Sequence, residues 1–275
     1  MKKRKGFRSK ATIPESILTE INRGKMETAN LVEFLAVDFY KLIEAALTDF
    51  GQPNFVQIFH QGFDHLEKKS VNTFQKSIGK SLLLIKTNHP DTKIISFFSR
   101  HPSDVVRRWP CYFIGLNDNL NIDEKLSKLE RFAIDHHFGV REDAWLAVRN
   151  CVIDNLEASI FSLSPWIKSD NAYKRRFAVE LLRPRGVWCK HINQLKEHPE
   201  LVMPLIEELK EEKNRYVQDS VANWLNDLSK SQPELVINFL KSWDSTNNHS
   251  AYIIKRSIRS IKKGKSLRLD FPFLL

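Results

Sequence analysis

A spaced repeat of helical segments is the feature of this 275-residue sequence that most restricts its fold. Five basic or polar residues each open a segment whose apolar residues recur every three or four positions, at spacings of 34, 34, 43 and 37 residues: Arg107, Arg141, Arg175, Gln218 and Lys255. Each segment follows another apolar helical segment and a short polar turn, and these first segments span 93–100, 125–135, 158–168, 201–212 and 235–243. One helix pair of this kind cannot bury its own apolar face, so neighbouring pairs must stack into a common core.

The repeat unit has the length of a HEAT-like helix pair, and it predicts an all-α fold. We expect a HEAT-like helical repeat solenoid that is curved and carries a concave basic groove. The predicted organisation is a single α-helical repeat domain over residues 1–275, with a basic N-terminal tail at 1–12, N-terminal helices at 13–90, HEAT-like helix pairs at 91–263 and a C-terminal tail at 264–275. Pro14 and Gly24 bracket a short first helix, and residues 27–50 are expected to form one long helix.

The charge balance favours an acidic partner. Lys and Arg exceed Asp and Glu by ten, which suits nucleic acid or an anionic membrane. No apolar run approaches the roughly 20 residues that span a bilayer, and the basic N-terminus lacks the apolar segment of a signal peptide. We therefore expect a soluble, cytoplasmic protein. Charge alone does not choose between nucleic acid and an anionic membrane as the partner.

Metal and cofactor chemistry find no support in the sequence. The histidines and the three cysteines show no recognised ligand spacing, and glycine-rich phosphate loops and nucleophile elbows are missing. No metal and no cofactor are expected.

Basic residues concentrate on the second helices of the pairs, where they would line the concave face. An acidic stretch at 207–212 is expected to lie on a first helix, away from this groove. The alternative is that the basic residues only solvate exposed helix faces. The candidates for contacts with the phosphates of an acidic partner such as nucleic acid are Arg141, Lys174, Arg175, Arg176, Arg183, Arg185, Arg215, Lys255 and Arg259.

Three segments combine charged and aromatic residues in a specific order: 137–145, 175–189 and 216–227. These segments, with 5–14 and 30–38 near the N-terminus, resemble the AlkC-type DNA alkylation repair proteins, which share a superfamily with AlkD. The resemblance extends from about Lys5 to Arg259. After the repeats there is no immunoglobulin-like domain of the kind that some AlkC-type proteins use to clasp DNA, so the helical groove is expected to supply the grip alone.

The resemblance implies a DNA repair glycosylase. Such a protein grips duplex DNA and hydrolyses the N-glycosyl bond of cationic alkylated bases, with 3-methyladenine as the main expectation and 7-methylguanine as a further one, without swinging the base into a deep pocket. The implied partner is double-stranded DNA that contains alkylated bases, bound by a monomer, and no membrane partner is expected. The rival interpretation is a non-catalytic HEAT-like module that binds DNA or an acidic protein through the same groove.

The resemblance also carries catalytic roles onto three acids, Glu142, Glu180 and Asp227, each on a different second helix. A cationic purine is a good leaving group, so an anion near the developing oxocarbenium ion and a positioned water are what the protein must add. Each acid has a structural alternative. Glu142 could cap its helix, Glu180 could pair with Arg176, and Asp227 could pair with Lys230.

Three tryptophans lie beside the acids and are candidates for contact with the lesion: Trp145, Trp188 and Trp224. A tryptophan at helical spacing is equally suited to the core. Asp143 stands where the related subgroup usually has tryptophan, and the extra carboxylate is expected either to alter the chemistry of the groove or to be solvated.

Overall fold

The structure is a computed structural model that describes residues 4–263, and these residues form helices with no β-strand among them. The all-α prediction is therefore confirmed over this range. The predicted C-terminal tail, 264–275, lies outside the described residues, as do residues 1–3 of the predicted N-terminal tail. The single domain and the curved solenoid with a continuous concave groove stay predictions for the whole chain.

The chain divides into two compact units, Met1–Val148 and Arg149–Leu275. The helices of the first unit are α1 (Glu15–Asn22), α2 (Leu31–Phe34), α3 (Phe39–Phe50), α4 (Val56–Asp64), α5 (Val71–Asn88), α6 (Ile94–Phe98), α7 (Asp104–Gly115), α8 (Ile122–Ala133) and most of α9 (Phe138–Asp154), with 3-10 turns at Lys10–Thr12 and Pro53–Phe55. In this unit α5 packs against α4 and α7, and α7 packs against α6 and α8.

Helix caps correct the prediction of one long helix over residues 27–50. The first helix is as expected: it starts after Pro14, and Gly24 adopts a φ of 72° just after its end. After it, however, the chain forms two helices, α2 and α3. The Asn30 side chain accepts a hydrogen bond from the Glu33 amide, and the Asp38 side chain accepts from the amides of Tyr40 and Lys41. Each cap starts a new helix and thereby divides the apolar stripe.

The second unit is arranged around one long, central helix. The helices of this unit are the end of α9, then α10 (Leu156–Ile167), α11 (Ala172–Leu181), α12 (Gln194–Glu197), α13 (Met203–Glu207), α14 (Arg215–Ser229), α15 (Pro233–Lys241), α16 (Asn248–Ser257) and α17 (Arg259–Lys263), with a 3-10 turn at Pro199–Leu201. The central helix, α14, packs against α11, α15 and α16, and its Val221, Trp224 and Leu225 have no exposed surface.

The predicted repeat is confirmed in its first four units and shifted in the fifth. The fourth residue of each second helix is Arg107 in α7, Arg141 in α9, Arg175 in α11 and Gln218 in α14. In α16 the fourth residue is Ala251, 33 residues after Gln218, so Lys255 lies one turn later than the repeat requires. Alanine has no polar side chain, and the sequence therefore gave no sign of this position.

These four side chains stabilise the turn that precedes their own helix. Each donates a hydrogen bond to the carbonyl oxygen six residues earlier, at 2.9 Å for Arg107, 2.6 Å for Arg141, 2.7 Å for Arg175 and 2.5 Å for Gln218. The bonds satisfy carbonyl groups that the sharp turn leaves without helical partners. The repeat position is therefore a device that fixes the turn between the two helices of a pair.

Two of these arginines also pair with the next turn along the same unit. Nε of Arg107 lies 3.0 Å from Oδ2 of Asp135, and Nε of Arg175 lies 2.7 Å from Oε2 of Glu212. Glu212 is buried and follows the end of α13. This corrects the expectation for the acidic stretch 207–212: most of it forms a turn, and its last residue binds a second helix.

Candidate active site

Two of the three predicted acids lie together in the second unit, joined by Arg183. Nε and Nη2 of Arg183 donate to Oδ2 of Asp227 at 2.9 and 2.5 Å, and Nη1 donates to Oε2 of Glu180 at 2.9 Å. The carboxylate side chains of Glu180 and Asp227 are only 4% and 5% exposed. The two acids come from α11 and α14, and Arg183 follows the end of α11. We call these three residues the acid cluster.

The structural alternatives weighed for the two acids are both present. Nζ of Lys230 donates to Oδ1 of Asp227 at 2.8 Å, and Nη2 of Arg176 lies 3.8 Å from Oε1 of Glu180. The two carboxylates nevertheless share their strongest partner, Arg183, whose burial is offset by the two anions so that its pKa is raised. The sequence suggested Arg183 as a phosphate ligand, and nothing local linked it to Asp227, 44 residues away.

Another arginine, which is fully buried, holds the chain that leaves α11. Arg149 is 1% exposed, and its guanidinium donates to the carbonyl groups of Leu181, Arg183 and Lys190. Burial lowers its pKa to about 10. Trp224 contributes one more bond, since its Nε1 donates to the Leu182 carbonyl at 2.8 Å. The position of Arg183 is thus set by bonds to the backbone on both sides of it.

The loop after Arg183 carries an exposed aromatic side chain. Val187 and Trp188 are 79% and 60% exposed, whereas Nε of Arg185 donates to the Asp227 carbonyl at 3.1 Å. The other two tryptophans lie in the core: Trp224 has no exposed surface and Trp145 is 6% exposed. Only Trp188 among the three has a surface that a ligand can contact without a rearrangement of the core.

The third predicted acid, Glu142, lies on α9 within the first unit. Its Oε2 accepts a hydrogen bond from Nε1 of Trp145 at 3.0 Å, and it is the most exposed of the three acids. Glu142 is the fifth residue of α9, so it is not the helix cap that was weighed as an alternative.

Asp143, the neighbour of Glu142, is neither solvated nor part of an open surface. Its carboxylate accepts from Nε2 of Gln75 at 2.7 Å and from the Tyr112 hydroxyl at 3.0 Å, and Nη1 of Arg108 lies 3.5 Å away. Burial raises the pKa of Asp143 to about 6, against the opposing effect of Arg108. Asp143 therefore ties α5, α7 and α9 together inside the first unit.

The predicted phosphate ligands differ widely in exposure. Arg141 and Arg175 fix turns, and Arg183 bridges the acids, so these three guanidinium groups have an intramolecular role in this structure. Arg176 is 9% exposed and lies 4.1 Å above the ring of Tyr216. The exposed or half-exposed candidates are Lys174, Arg185, Arg215, Lys255 and Arg259.

Neither a metal site nor a membrane-spanning helix is found in the described part of the chain. Residues 4–263 hold no group of three His, Cys, Asp or Glu side chains placed to bind a metal ion. Within the same residues no helix combines the length and the hydropathy that crossing a membrane requires.

The chain matches a family model and one bacterial relative over about half of its length. Residues 140–261 match the family described as DNA alkylation repair enzyme. The uncharacterized protein YhaZ of Bacillus subtilis (strain 168) is 37% identical over 143 residues, which are 52% of this chain and 38% of YhaZ. The chain thus spans well under half of the length of that relative.

Solved structures extend the likeness to most of the chain. The alkylpurine DNA glycosylase AlkC of Pseudomonas fluorescens, bound to DNA containing an abasic site analog, superposes with a TM-score of 0.67 at 25% identity and covers 80% of this chain and 60% of its own. AlkD2 of Streptococcus mutans shares the fold, with a TM-score of 0.55 at 22% identity over 75% of this chain and 96% of its own. The chain thus resembles the AlkC/AlkD-type DNA alkylation repair proteins: residues 140–261 match the family model, and the helical repeat fold is shared with the solved structures.

Proposed function

We propose that the protein is a DNA glycosylase that hydrolyses the N-glycosyl bond of cationic alkylated bases, such as 3-methyladenine and 7-methylguanine, in duplex DNA. The observation that carries this proposal is the acid cluster, two carboxylates from different repeats held at one place by a shared arginine. The likeness to an AlkC bound to DNA containing an abasic site analog supports it, because an abasic site is what a glycosylase leaves behind.

This hydrolysis requires a negative charge near the sugar, and it does not require a proton donor for the leaving base. A base that already carries a positive charge leaves without being protonated, and positive charge then develops on the sugar. A fixed carboxylate near the anomeric carbon stabilises that charge and can orient the attacking water. Glu180 and Asp227 suit this task because Arg183 holds both in place before any substrate arrives.

Each carboxylate oxygen of Asp227 binds a different cation, and the two cations differ in how exposed they are. Arg183 binds Oδ2 with two N–H groups, whereas Lys230 binds Oδ1 with a side chain that is 43% exposed. A DNA phosphate competes for a lysine that is 43% exposed more readily than for an arginine that is 15% exposed. We therefore assign Oδ1 of Asp227 as the oxygen that turns to the lesion when Lys230 moves to a phosphate.

The same pairing also favours a second candidate, a DNA-binding module without catalysis. Both acids have cationic partners in this structure, as they would if their only task were to join α11 to α14. In that case the protein would grip duplex DNA in a monomeric complex through its exposed cations and leave the base in place. Glu142, in the first unit, has a proposed catalytic role if the protein is a glycosylase and none if it is a DNA-binding module.

Base release separates the two candidates. The protein is incubated in excess over duplex DNA that contains 3-methyladenine or 7-methylguanine, and the free base is quantified by chromatography. We expect first-order release of the alkylated base at a rate well above spontaneous depurination, and none from an unmodified duplex. Tight duplex binding with release at the spontaneous rate would establish the non-catalytic module instead.

A further inference from the structure

Arg215, in the second unit, stacks on a tyrosine ring in a geometry that suits phosphate binding. We call this stacked pair the clamp. The guanidinium carbon of Arg215 lies 3.4 Å from the centre of the Tyr252 ring, so the two groups stack in contact. Arg215 is exposed at the start of α14, and Tyr252 lies on the neighbouring helix α16. Stacking covers one face of the guanidinium plane and leaves its N–H edge directed along the surface.

The tyrosine beneath Arg215 is itself held in place. Its hydroxyl donates to Oδ1 of Asp219 at 2.6 Å, and the same oxygen lies 3.2 Å from Nε of Arg256. The Arg256 guanidinium is 5.5 Å from the ring centre. Asp219 therefore contacts both the ring and the second arginine, and these bonds orient the ring before any ligand binds.

The charges around the clamp do not balance. Two arginines lie against one tyrosine, and Asp219 neutralises only one of them. Among residues 4–263 the structure gives the Arg215 guanidinium no carboxylate partner, whereas Arg175 and Arg183 in the same unit each bind one closely. A stacked guanidinium without a carboxylate partner among residues 4–263 is complementary to an oxyanion that accepts two parallel hydrogen bonds.

The clamp continues into the acid cluster along one stripe of α14. Residues 215, 219, 223 and 227 follow each other at one-turn intervals, and Nη2 of Arg259 donates to the Asn223 side chain at 2.7 Å. Twelve residues of helix place Arg215 about 18 Å along α14 from Asp227. Both ends of this stripe lie within the second unit, and Asp227, unlike Arg215, is buried.

We propose that Tyr252, fixed by Asp219, is a positioning residue that pre-orients Arg215 to bind one backbone phosphate of DNA through two hydrogen bonds. The inference rests on the proposed function for its choice of DNA as the polyanion. It goes beyond that function because it states that Tyr252 and Asp219 contribute to the affinity for DNA, although neither residue touches the phosphate.

The test is a double-mutant cycle read through the salt dependence of binding. Affinity for an undamaged, fluorescently labelled duplex is measured by anisotropy at several KCl concentrations. Arg215→Ala removes a charge, so the slope of log K against log[salt] should fall in magnitude by about 0.9. Tyr252→Leu keeps the charge and loses only the orientation, so it should weaken binding about threefold to tenfold and leave the slope unchanged. Tyr252→Phe keeps the stack and should lose less.

The double variant and a matched control complete the cycle. Arg215→Ala combined with Tyr252→Leu should bind no more weakly than Arg215→Ala alone, because an absent guanidinium cannot be oriented. Lys241→Ala removes an exposed charge whose one bond within residues 4–263 is to Asn238 on α15, and it should leave the affinity unchanged. Circular dichroism verifies the fold of every variant. Additive losses, or a changed slope for Tyr252→Leu, would overturn the inference.

Base release by the same preparations separates this inference from the proposed function. If the wild type binds with the expected salt slope and the cycle is non-additive, the clamp stands even when no alkylated base is released. If base release is normal and the cycle is additive, the proposed function stands and the clamp is refuted. A wild type that does not bind duplex DNA would refute both.

Discussion

Replacing Arg183 with methionine tests whether this arginine joins the acids or binds a phosphate. Methionine fills similar volume without the charge, so the variant removes three hydrogen bonds to two carboxylates that are 4% and 5% exposed. Removing one partner from a buried ion pair costs about 3 to 5 kcal/mol because an uncompensated charge remains. Lys230 and Arg176 stay near the acids, so we expect the lower end, about 3 kcal/mol.

Urea denaturation followed by circular dichroism measures this loss directly. The midpoint should fall while the slope m stays constant, since the surface exposed on unfolding is unchanged. Arg183→Lys retains the charge but not the fork geometry, and should recover part of the loss. Lys241→Ala, a change on the exposed side of α15, should cost less than about 0.5 kcal/mol. A loss below about 1 kcal/mol for Arg183→Met, with a clear drop in duplex affinity, would refute the bridging role and restore the phosphate role.

Two further predictions follow from the buried groups. Because the folded pKa of Asp143 is raised to about 6, its favourable contribution exists at low pH and is lost as the pH rises through 6. The stability of Asp143→Asn relative to the wild type should therefore rise by about 2 kcal/mol between pH 4.5 and 7.5, and thermal melts with no such trend would contradict the burial argument. Trp224→Ala should cost about 3 to 5 kcal/mol of stability, whereas Trp188→Ala should leave stability within about 1 kcal/mol and slow base release; equal melting losses would contradict the assignment of core and surface.

The helical repeat and its register could be predicted from the sequence because both depend on local patterns. Arg107, Arg141, Arg175 and Gln218 each begin an apolar segment of period 3.6 after a polar turn, and the same position recurs in each helix. The fifth repeat broke this rule because Ala251 makes no polar contact of its own. The apolar stripe runs on from α2 to α3 without a break, so it predicts one helix. The side chain of Asp38 caps the start of α3 and divides that helix in two.

The candidate site was harder to predict because it depends on contacts between distant residues. Glu180 and Asp227 were chosen through a family resemblance, and their proximity follows from the packing of α11 against α14. Arg183 was expected at a phosphate, since a basic residue beside Pro184 says nothing about an acid 44 residues away. The same reasoning placed Trp224 at the lesion, whereas its indole lies in the core of the second unit.

The most direct test of the account is single-turnover base release by Asp227→Asn and Glu180→Gln. Each change keeps the shape of the side chain and removes its negative charge, so we expect release of 3-methyladenine to slow at least about tenfold, or about 1.4 kcal/mol of barrier. Duplex affinity should hold or rise, because an anion near the DNA is removed. Melting of the same samples shows that each variant is folded at the assay temperature. Folded variants that release the base at the wild-type rate would show that the acid cluster only stabilises the fold.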